Sequence, residues 1–248
     1  MRRTIAILLV SMLPMAGFAA GGSNVPLMSA NIDLSDTASL QRGAKLFVNY
    51  CLSCHGAEFM RYNRMAEDLG LSEDQLKANL MFAANKVGET MTVAIQPDQA
   101  EKWFGKAPPD LSVITRSRGS DWVYTFLLSF YKDDDPQRLF GVNNVIFQAT
   151  SMPAVLEPLQ GVQELVEAEV SDGHGGTKIE KVLQLKTEGS RNPAQFRRDV
   201  RDIVSFLTYV GEPAKLVRYQ IGTWVLLFLA VLFVITYGLK KEYWRDIH

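Results

Sequence analysis

The chain has 248 residues, of which 47% are hydrophobic, and it contains only two cysteines and three histidines. Its net charge is −1, but residues 20–214 carry 19 Lys and Arg against 25 Asp and Glu, which is a net charge of −6. A domain of this length supports a single core, and its acidity argues against binding to nucleic acid and favours a cationic partner.

The N-terminus has the pattern of a secretory signal peptide. Arg2 and Arg3 precede a short apolar run, and small residues end at Ala19. The apolar run is too short to span a bilayer, which disfavours a membrane anchor at this end. We therefore expect a signal peptide at 1–19 and a mature domain on the far side of the plasma membrane.

Both cysteines lie in the sequence YCLSCHG, as Cys51 and Cys54 followed directly by His55. A disulfide, a redox dithiol and half of a zinc site are the alternatives to covalent haem attachment. A structural zinc needs four ligands, and only His174 and His248 remain elsewhere. A thioredoxin-like dithiol requires alternating strands and helices, which the flanking sequence lacks. Export across the membrane favours haem attachment, with His55 as the proximal iron ligand.

Four stretches of the domain have the apolar spacing and end signals of helices. We expect the first and last of them to cross and to bury the haem edge between them. They are a helix capped by Ser35 or Asp36 that leads to Cys51, one through 72–88, one capped by Ser120 or Asp121, and one with Asn192 as N-cap and Pro193 at its first position that ends at Gly211.

Two other segments are predicted to be non-helical. Pro108 and Pro109 make 105–112 a stiff loop. Apolar and polar residues alternate on both sides of SDGHGG, which predicts a β-hairpin at about 163–186 with His174 as a solvated turn residue.

A methionine commonly completes the ligand set of an electron-transfer haem. Met152 is the preferred candidate because it lies far from His55 along the chain and Pro153 stiffens the backbone behind it. Met91 and Met81 are the alternatives, although any methionine also serves as a filler of core gaps.

The C-terminal region predicts a membrane anchor. Residues 221–239 contain no charged side chain and are long enough, at ~1.5 Å per residue, to cross the hydrocarbon layer. Aromatic residues stand near both edges, and Lys240 and Lys241 follow directly. We expect the haem domain at 20–214, the anchor at 215–240 and a cytoplasmic tail at 241–248.

Several strings in their order along the chain resemble the cytochrome c1 family, the haem subunit of ubiquinol–cytochrome c reductase. The strings are LQRGAKLFVNYCLSCHGAEFMRYNRMAEDLGL, APPDLSVITRSRGSDWVYTFLLSFY, TSMPAVL and YVGEPAKLVRYQIG. The resemblance covers nearly the whole mature chain. It implies a mainly α fold, namely a class I c-type cytochrome-like helical haem domain with a small β-hairpin insertion, plus one C-terminal transmembrane helix.

The resemblance also implies the site and its cofactor, one covalently bound haem c. Cys51 and Cys54 would hold the haem, and His55 and Met152 would be the two metal ligands. The other haem-contacting positions implied are Pro108, Pro109 and Leu111 of the loop, Arg118 as a propionate partner, and Trp122, where relatives often carry Tyr.

The function implied is a one-electron relay within the membrane-bound cytochrome bc complex of a bacterial inner membrane. The Rieske iron–sulfur protein would deliver the electron, cytochrome b would be a further partner, and a soluble basic cytochrome c would accept it. The chain by itself would not be an enzyme. A haem subunit of a terminal oxidase, a tethered haem sensor and an assembly factor are the alternatives. The acidic residues 133–135 and Glu164, Glu167 and Glu169 would steer the basic acceptor.

Overall fold

Helices build most of the domain. The computed structural model describes residues 25–93, 95–171 and 176–247, and the predicted signal peptide and His174 lie outside these ranges. About 47% of the structure is helical and 17% is strand, which confirms the mainly helical prediction. The helices are α1 (Thr37–Tyr50), α2 (Tyr62–Asp68), α3 (Glu73–Asn79), α4 (Pro97–Phe104), α5 (Ile114–Arg118), α6 (Ser120–Leu128), α7 (Glu157–Gln160), α8 (Pro193–Gly211) and α9 (Lys215–Tyr243).

The strands of the described residues form antiparallel pairs. They are β1 (Ala57–Arg61) with β2 (Thr90–Met91), β3 (Phe130–Lys132) with β4 (Val142–Asn144), and β5 (Gly161–Ser171) with β6 (Thr177–Glu188). The last pair confirms the predicted hairpin and extends it at both ends. Leu165 stands opposite Leu183, so apolar side chains share a face of this ribbon.

The capping residues of α1 and α8 explain where these two helices begin. Asp36 accepts a hydrogen bond from the backbone N–H of Ser39 at 3.0 Å. Asn192 accepts from the N–H of Gln195 at 2.9 Å, and the Gln195 side chain accepts from the N–H of Asn192 in return. Each cap satisfies an N–H that has no partner inside its helix, as the sequence predicts.

The crossing of α1 and α8 forms the centre of the core. Phe47 of α1 meets Phe206 of α8 with ring centroids 5.5 Å apart, and both side chains are fully buried. The backbones come so close that a Cβ atom on Gly43 would lie 2.0 Å from the carbonyl oxygen of Asp202. The predicted crossing of the first and last helices therefore exists, and it depends on a glycine.

A buried carboxylate ties the same two helices together. The Asp202 side chain accepts hydrogen bonds from Ser39 Oγ at 2.6 Å and from Arg42 Nε at 2.6 Å. A second contact comes from Arg42 Nη2 at 3.1 Å. Because a buried charge is costly unless it is paired, this ion pair fixes how α1 lies on α8.

The second predicted helix is shorter than its sequence pattern, because α3 ends at Asn79 instead of near residue 88. Backbone carbonyls after Asn79 accept hydrogen bonds from residues outside this segment. The carbonyl of Val87 accepts from the N–H of Asn63 at 2.7 Å, and that of Glu89 accepts from Tyr62 at 3.1 Å. These carbonyls cap the start of α2, so the segment cannot continue as a helix.

The N-cap of α6 is Gly119 and not the predicted Ser120 or Asp121. Gly119 has φ of +91°, a conformation that residues with a Cβ rarely adopt. The Asp121 carboxylate instead accepts from the N–H of Ala30 at 2.8 Å. Its role is therefore to bind the segment that precedes α1.

Helix α9 is largely exposed over Ile221–Tyr243 in the isolated chain. Within the described residues it is the one helix long and apolar enough to cross a membrane, over Ile221–Tyr243. The helix thus includes the predicted apolar run and extends one turn beyond it. Its exposed apolar surface is what a lipid-facing span requires.

Candidate haem site

The two cysteines lie in a tight turn at the end of α1. Cys51 is the C-cap of the helix, and its carbonyl accepts from the N–H of Cys54 at 3.0 Å and of His55 at 2.8 Å. This turn places both thiols and the imidazole within five residues of a rigid helix end. Both cysteines are free thiols, with Cys51 buried and Cys54 half-buried.

Burial raises the pKa of the Cys51 thiol to about 12, with a smaller contribution from Cys54. Cys51 is 8% exposed, whereas the reactive cysteine of a redox dithiol lies in a partly exposed, electropositive setting, so this burial disfavours that alternative. Among the described residues, no group of three or more His, Cys, Asp or Glu side chains is arranged to hold a metal ion.

The imidazole of His55 is oriented by a backbone carbonyl. His55 Nδ1 lies 2.7 Å from the carbonyl oxygen of Pro109, which can only accept, so Nδ1 carries the proton and donates. Nε2 is then left with its lone pair for an iron atom. Burial lowers the pKa of His55, while the bond to Pro109 and the charge of Asp110 act in the opposite direction. A neutral imidazole with a free Nε2 is the form that binds metal.

The loop that carries Pro109 is held against the residues that follow His55. The N–H of Leu111 donates to the carbonyl of Gly56 at 2.8 Å. Asp110 Oδ2 accepts from the N–H of Glu58 at 2.9 Å, and Ser112 Oγ accepts from that of Phe59 at 3.1 Å. The loop that is predicted to contact the haem is thus held by hydrogen bonds to Gly56 and to two N–H groups of β1.

Met152 lies on a different loop, where it is half-buried and packs against the core. Its N–H donates to Thr150 Oγ1 at 3.2 Å. A small cavity beside it is also lined by Leu127 and Phe130. This cavity adjoins one of about 310 Å³, because Phe130 lines both.

The alternative methionines lie in other surroundings. Met91 is fully buried in β2 and pairs with Ala57 of β1, and Met81 packs against the core. Both have the contacts expected of core-filling side chains.

The Met152 loop is held by a pair of buried asparagines that the sequence analysis did not single out. Asn144 donates to the carbonyl of Phe126 at 2.8 Å, and its Oδ1 accepts from the N–H of Ile146 at 3.1 Å. Asn143 Oδ1 accepts from the N–H of Ala149 at 2.9 Å. The sequence signal is only the pair NN between two apolar stretches, which is also an ordinary turn signal.

Arg118 and Trp122 lie together at the edge of an aromatic wall. The Arg118 guanidinium carbon is 5.2 Å from the centre of the Trp122 ring. Trp122 stacks on Phe126 at 5.2 Å and meets Phe147 edge-on at 6.2 Å. Phe147 is 43% exposed. An apolar wall with a cation at its rim fits a flat macrocycle that carries carboxylates.

The residues present therefore fit a covalent haem. The structure brings His55 to Pro109 and Arg118 to Trp122, and Leu111 and Trp122 both pack against the core. Pro108 is half-buried and Pro109 is exposed. Met152 is positioned by a separate set of contacts.

The acidic clusters expected to steer a partner have local countercharges. Arg138 Nε lies 3.0 Å from Asp133, and its Nη2 lies 3.3 Å from Asp135. Asp134 pairs with Lys132 at 2.9 Å. Hydrogen bonds from Asn143 and Arg138 lower the pKa of Asp133. In residues 133–135 the carboxylates are thus partly neutralised within the fold.

Two of the three hairpin carboxylates face a lysine. Glu164 forms an ion pair with Lys186, and Glu167 stands opposite Lys181 across the ribbon, whereas Glu169 stands opposite Ile179. Cross-strand pairs of this kind stabilise the hairpin and weaken its outward negative field.

Comparison with known proteins gives consistent results over the whole chain. The model of the Cytochrome C1 family matches residues 28–247. Cytochrome c1 of Allochromatium vinosum is 52% identical over 248 residues, covering all of both chains. A Nitrosomonas europaea protein named ammonia monooxygenase gamma subunit is 47% identical over 99% of this chain and 100% of its own. A Bradyrhizobium diazoefficiens protein named cytochrome b/c1 is 25% identical over 86% of this chain and 34% of its own.

Proposed function

The chain belongs to the cytochrome c1 family, whose members carry a covalently bound haem c, and on this premise we propose that it relays single electrons from the Rieske iron–sulfur protein to a soluble cytochrome c. Cytochrome c1 is an electron-transfer subunit of the bc1 complex and is not an enzyme by itself. The haem, when bound, supplies a one-electron carrier.

The residues of the chain would hold that carrier in place. Cys51 and Cys54 would each add their S–H across one vinyl group and form two thioethers. Nε2 of His55 and the sulfur of Met152 would hold the iron. The chemistry of a nitrogen and a thioether ligand suits electron transfer, because the thioether raises the reduction potential.

The remaining side chains would shape the environment of the group. Arg118 would pair with a propionate, since an unpaired carboxylate at a buried edge is costly. Trp122 and Leu111 would cover the apolar faces and exclude water, and Pro108 would line the same side as Pro109. Together with the helical frame, these roles would make residues 20–214 a class I c-type haem domain.

One observation carries the proposal, the 2.7 Å contact between His55 Nδ1 and the Pro109 carbonyl. It assigns the proton to Nδ1 and leaves Nε2 as a ligand directly behind two free thiols. A histidine in an ordinary loop has no such restriction on its ring.

We expect the two ends of the chain to set its topology. The signal pattern at 1–19 would direct the haem domain to the periplasm, α9 would cross the inner membrane, and Lys240 and Lys241 would remain on the cytoplasmic side. Cytochrome b and the Rieske protein would be the partners within the membrane. The name of the Bradyrhizobium relative, cytochrome b/c1, supports the first of these.

The test uses the native complex. A tagged chain is purified from its own membranes in mild detergent, its partners are identified by mass spectrometry, and covalent haem is measured in denaturing gels and as the pyridine haemochrome. A variant with Cys51→Ser and Cys54→Ser is the matched control without anchors. Reduction of the haem by quinol, followed by oxidation by added cytochrome c, is the expected result.

Two outcomes would overturn the proposal. A wild-type chain without covalent haem would remove the electron carrier. Copurification with subunits of a monooxygenase instead of cytochrome b and a Rieske protein would replace the relay with the association that the name of the Nitrosomonas relative suggests.

A further inference from the structure

Asp110 connects the loop of Pro109 to the strand that follows His55. Its two carboxylate oxygens accept hydrogen bonds from different segments of the chain. Oδ2 accepts from the N–H of Glu58 at 2.9 Å, across more than fifty residues of sequence, and Oδ1 accepts from the N–H of Ser112 at 2.8 Å within the loop. One side chain thus sets the loop's own shape and its distance from β1.

The consequence for His55 is direct, because Pro109 is the neighbour of Asp110 in the chain. The position of the Pro109 carbonyl depends on the two residues that follow it. Leu111 provides one anchor through Gly56, and Asp110 provides the other through Glu58. If Asp110 releases Glu58, the carbonyl is free to move away from Nδ1.

The charge of Asp110 acts on the same imidazole. Asp110 directly follows Pro109, whose carbonyl oxygen lies 2.7 Å from His55 Nδ1, so its carboxylate is the charge next in the chain to this contact. A negative charge on this side of the ring polarises the Nδ1–H bond and makes Nε2 a better electron donor. It also favours the more positive, oxidised state of an iron bound to Nε2.

We propose that Asp110 is a positioning residue for the axial histidine, which holds the Pro109 carbonyl on Nδ1 and strengthens Nε2 as a ligand. This inference rests on the proposed function, since it concerns a bound haem. A residue that only stabilised the loop would affect unfolding but would leave the haem iron unchanged.

The experiment compares three variants as holoprotein in the purified complex. Asp110→Asn removes the charge and replaces one of the two acceptor oxygens by an NH₂ group, which donates. Asp110→Glu keeps the charge but moves the carboxylate. Ser112→Ala removes the neighbouring bond to Phe59 in the same ladder and is the matched structural control.

The readouts are the midpoint potential, the largest g value of the ferric low-spin electron paramagnetic resonance signal, and hydrogen exchange in the peptide 56–61. For Asp110→Asn we expect the ratio of ferrous to ferric haem at a fixed potential to rise about threefold to tenfold, the upper value being 59 mV for one electron. The g value should shift and exchange at Glu58 should accelerate. For Asp110→Glu, the shift in g should persist with a smaller change in potential.

The inference is wrong if Asp110→Asn keeps the wild-type potential and g value, or if Ser112→Ala moves both as far. Should Asp110→Asn fail to accumulate, Asp110→Glu decides through the g value alone. Failure of the proposed function is recognised separately, because the wild-type protein would then lack covalent haem or would copurify with subunits of a monooxygenase.

Discussion

Replacement of Gly43 by Ala tests the closest helix contact in the domain. The added Cβ would lie 2.0 Å from the carbonyl oxygen of Asp202, 2.7 Å from its carbonyl carbon and 2.8 Å from Cβ of Phe206, whereas ordinary contacts lie at 3.4–4 Å. None of these atoms belongs to the flexible end of a side chain. The clash is therefore relieved only if α1 moves away from α8 by roughly 1 Å in a closely packed core.

The cost has three parts. Overpacking of this kind costs about 1–3 kcal/mol. Separation also strains the bonds from Ser39 and Arg42 to buried Asp202, and a poorly satisfied buried group costs about 1–3 kcal/mol. Alanine offsets about 1 kcal/mol, because it is the better helix former. We expect a net loss of about 1–5 kcal/mol in the free energy of unfolding.

Thermal unfolding of the detergent-solubilised holoprotein, followed by near-ultraviolet circular dichroism, measures this loss. For a domain of this size, each kcal/mol lowers Tm by about 2–4 °C, so Gly43→Ala should lower Tm by roughly 2–20 °C. Gly88→Ala is the matched control, because nothing lies within 4 Å of its added Cβ. If both variants unfold at the same temperature, the close approach of α1 and α8 is not a source of stability.

Three further substitutions test the site. Met152→Leu should abolish the weak near-infrared sulfur-to-iron band and lower the midpoint potential by about 0.1 V or more; an unchanged band would direct attention to Met91. Arg118→Gln should lower the midpoint potential in a redox titration, because a positive charge near the iron favours the reduced state. An unaltered potential would mean that Arg118 is a solvated surface residue without a propionate partner. Asn144→Ala should lower the unfolding free energy by about 1–3 kcal/mol in chemical denaturation and weaken the same sulfur band; a stable variant with a full band would exclude its role in holding Met152.

Much of the fold could be predicted because its signals are local. The caps at Asp36 and Asn192 and the apolar run of α9 each depend on residues within a few turns of one another. The motif from Cys51 to His55 is equally local, since its spacing is set by one turn at a helix end. Such features are read from the spacing of residues along the chain and do not require a tertiary arrangement.

The failures at Gly119 and after Asn79 have a common cause. Asp121 is a good capping residue in isolation, but its carboxylate binds Ala30, about ninety residues away. The pattern from 72 to 88 is helical by periodicity, but the carbonyls of Val87 and Glu89, at and just after its end, accept hydrogen bonds from the start of α2. In both cases a distant partner competes with the local preference and wins.

The site also combines features that are local in sequence with features that depend on the tertiary structure. The anchoring residues Cys51, Cys54 and His55 are predicted from adjacent positions, so this prediction needs the sequence alone. The proton position on His55, the bonds of Asp110 to Glu58 and the pairing of Arg138 with Asp133 depend on segments that are separated in the chain and meet only in the folded domain. Hydrogen bonds and ion pairs act over about 3 Å, and which groups come that close is decided by how the helices and loops pack, because that packing buries the apolar surface that drives folding.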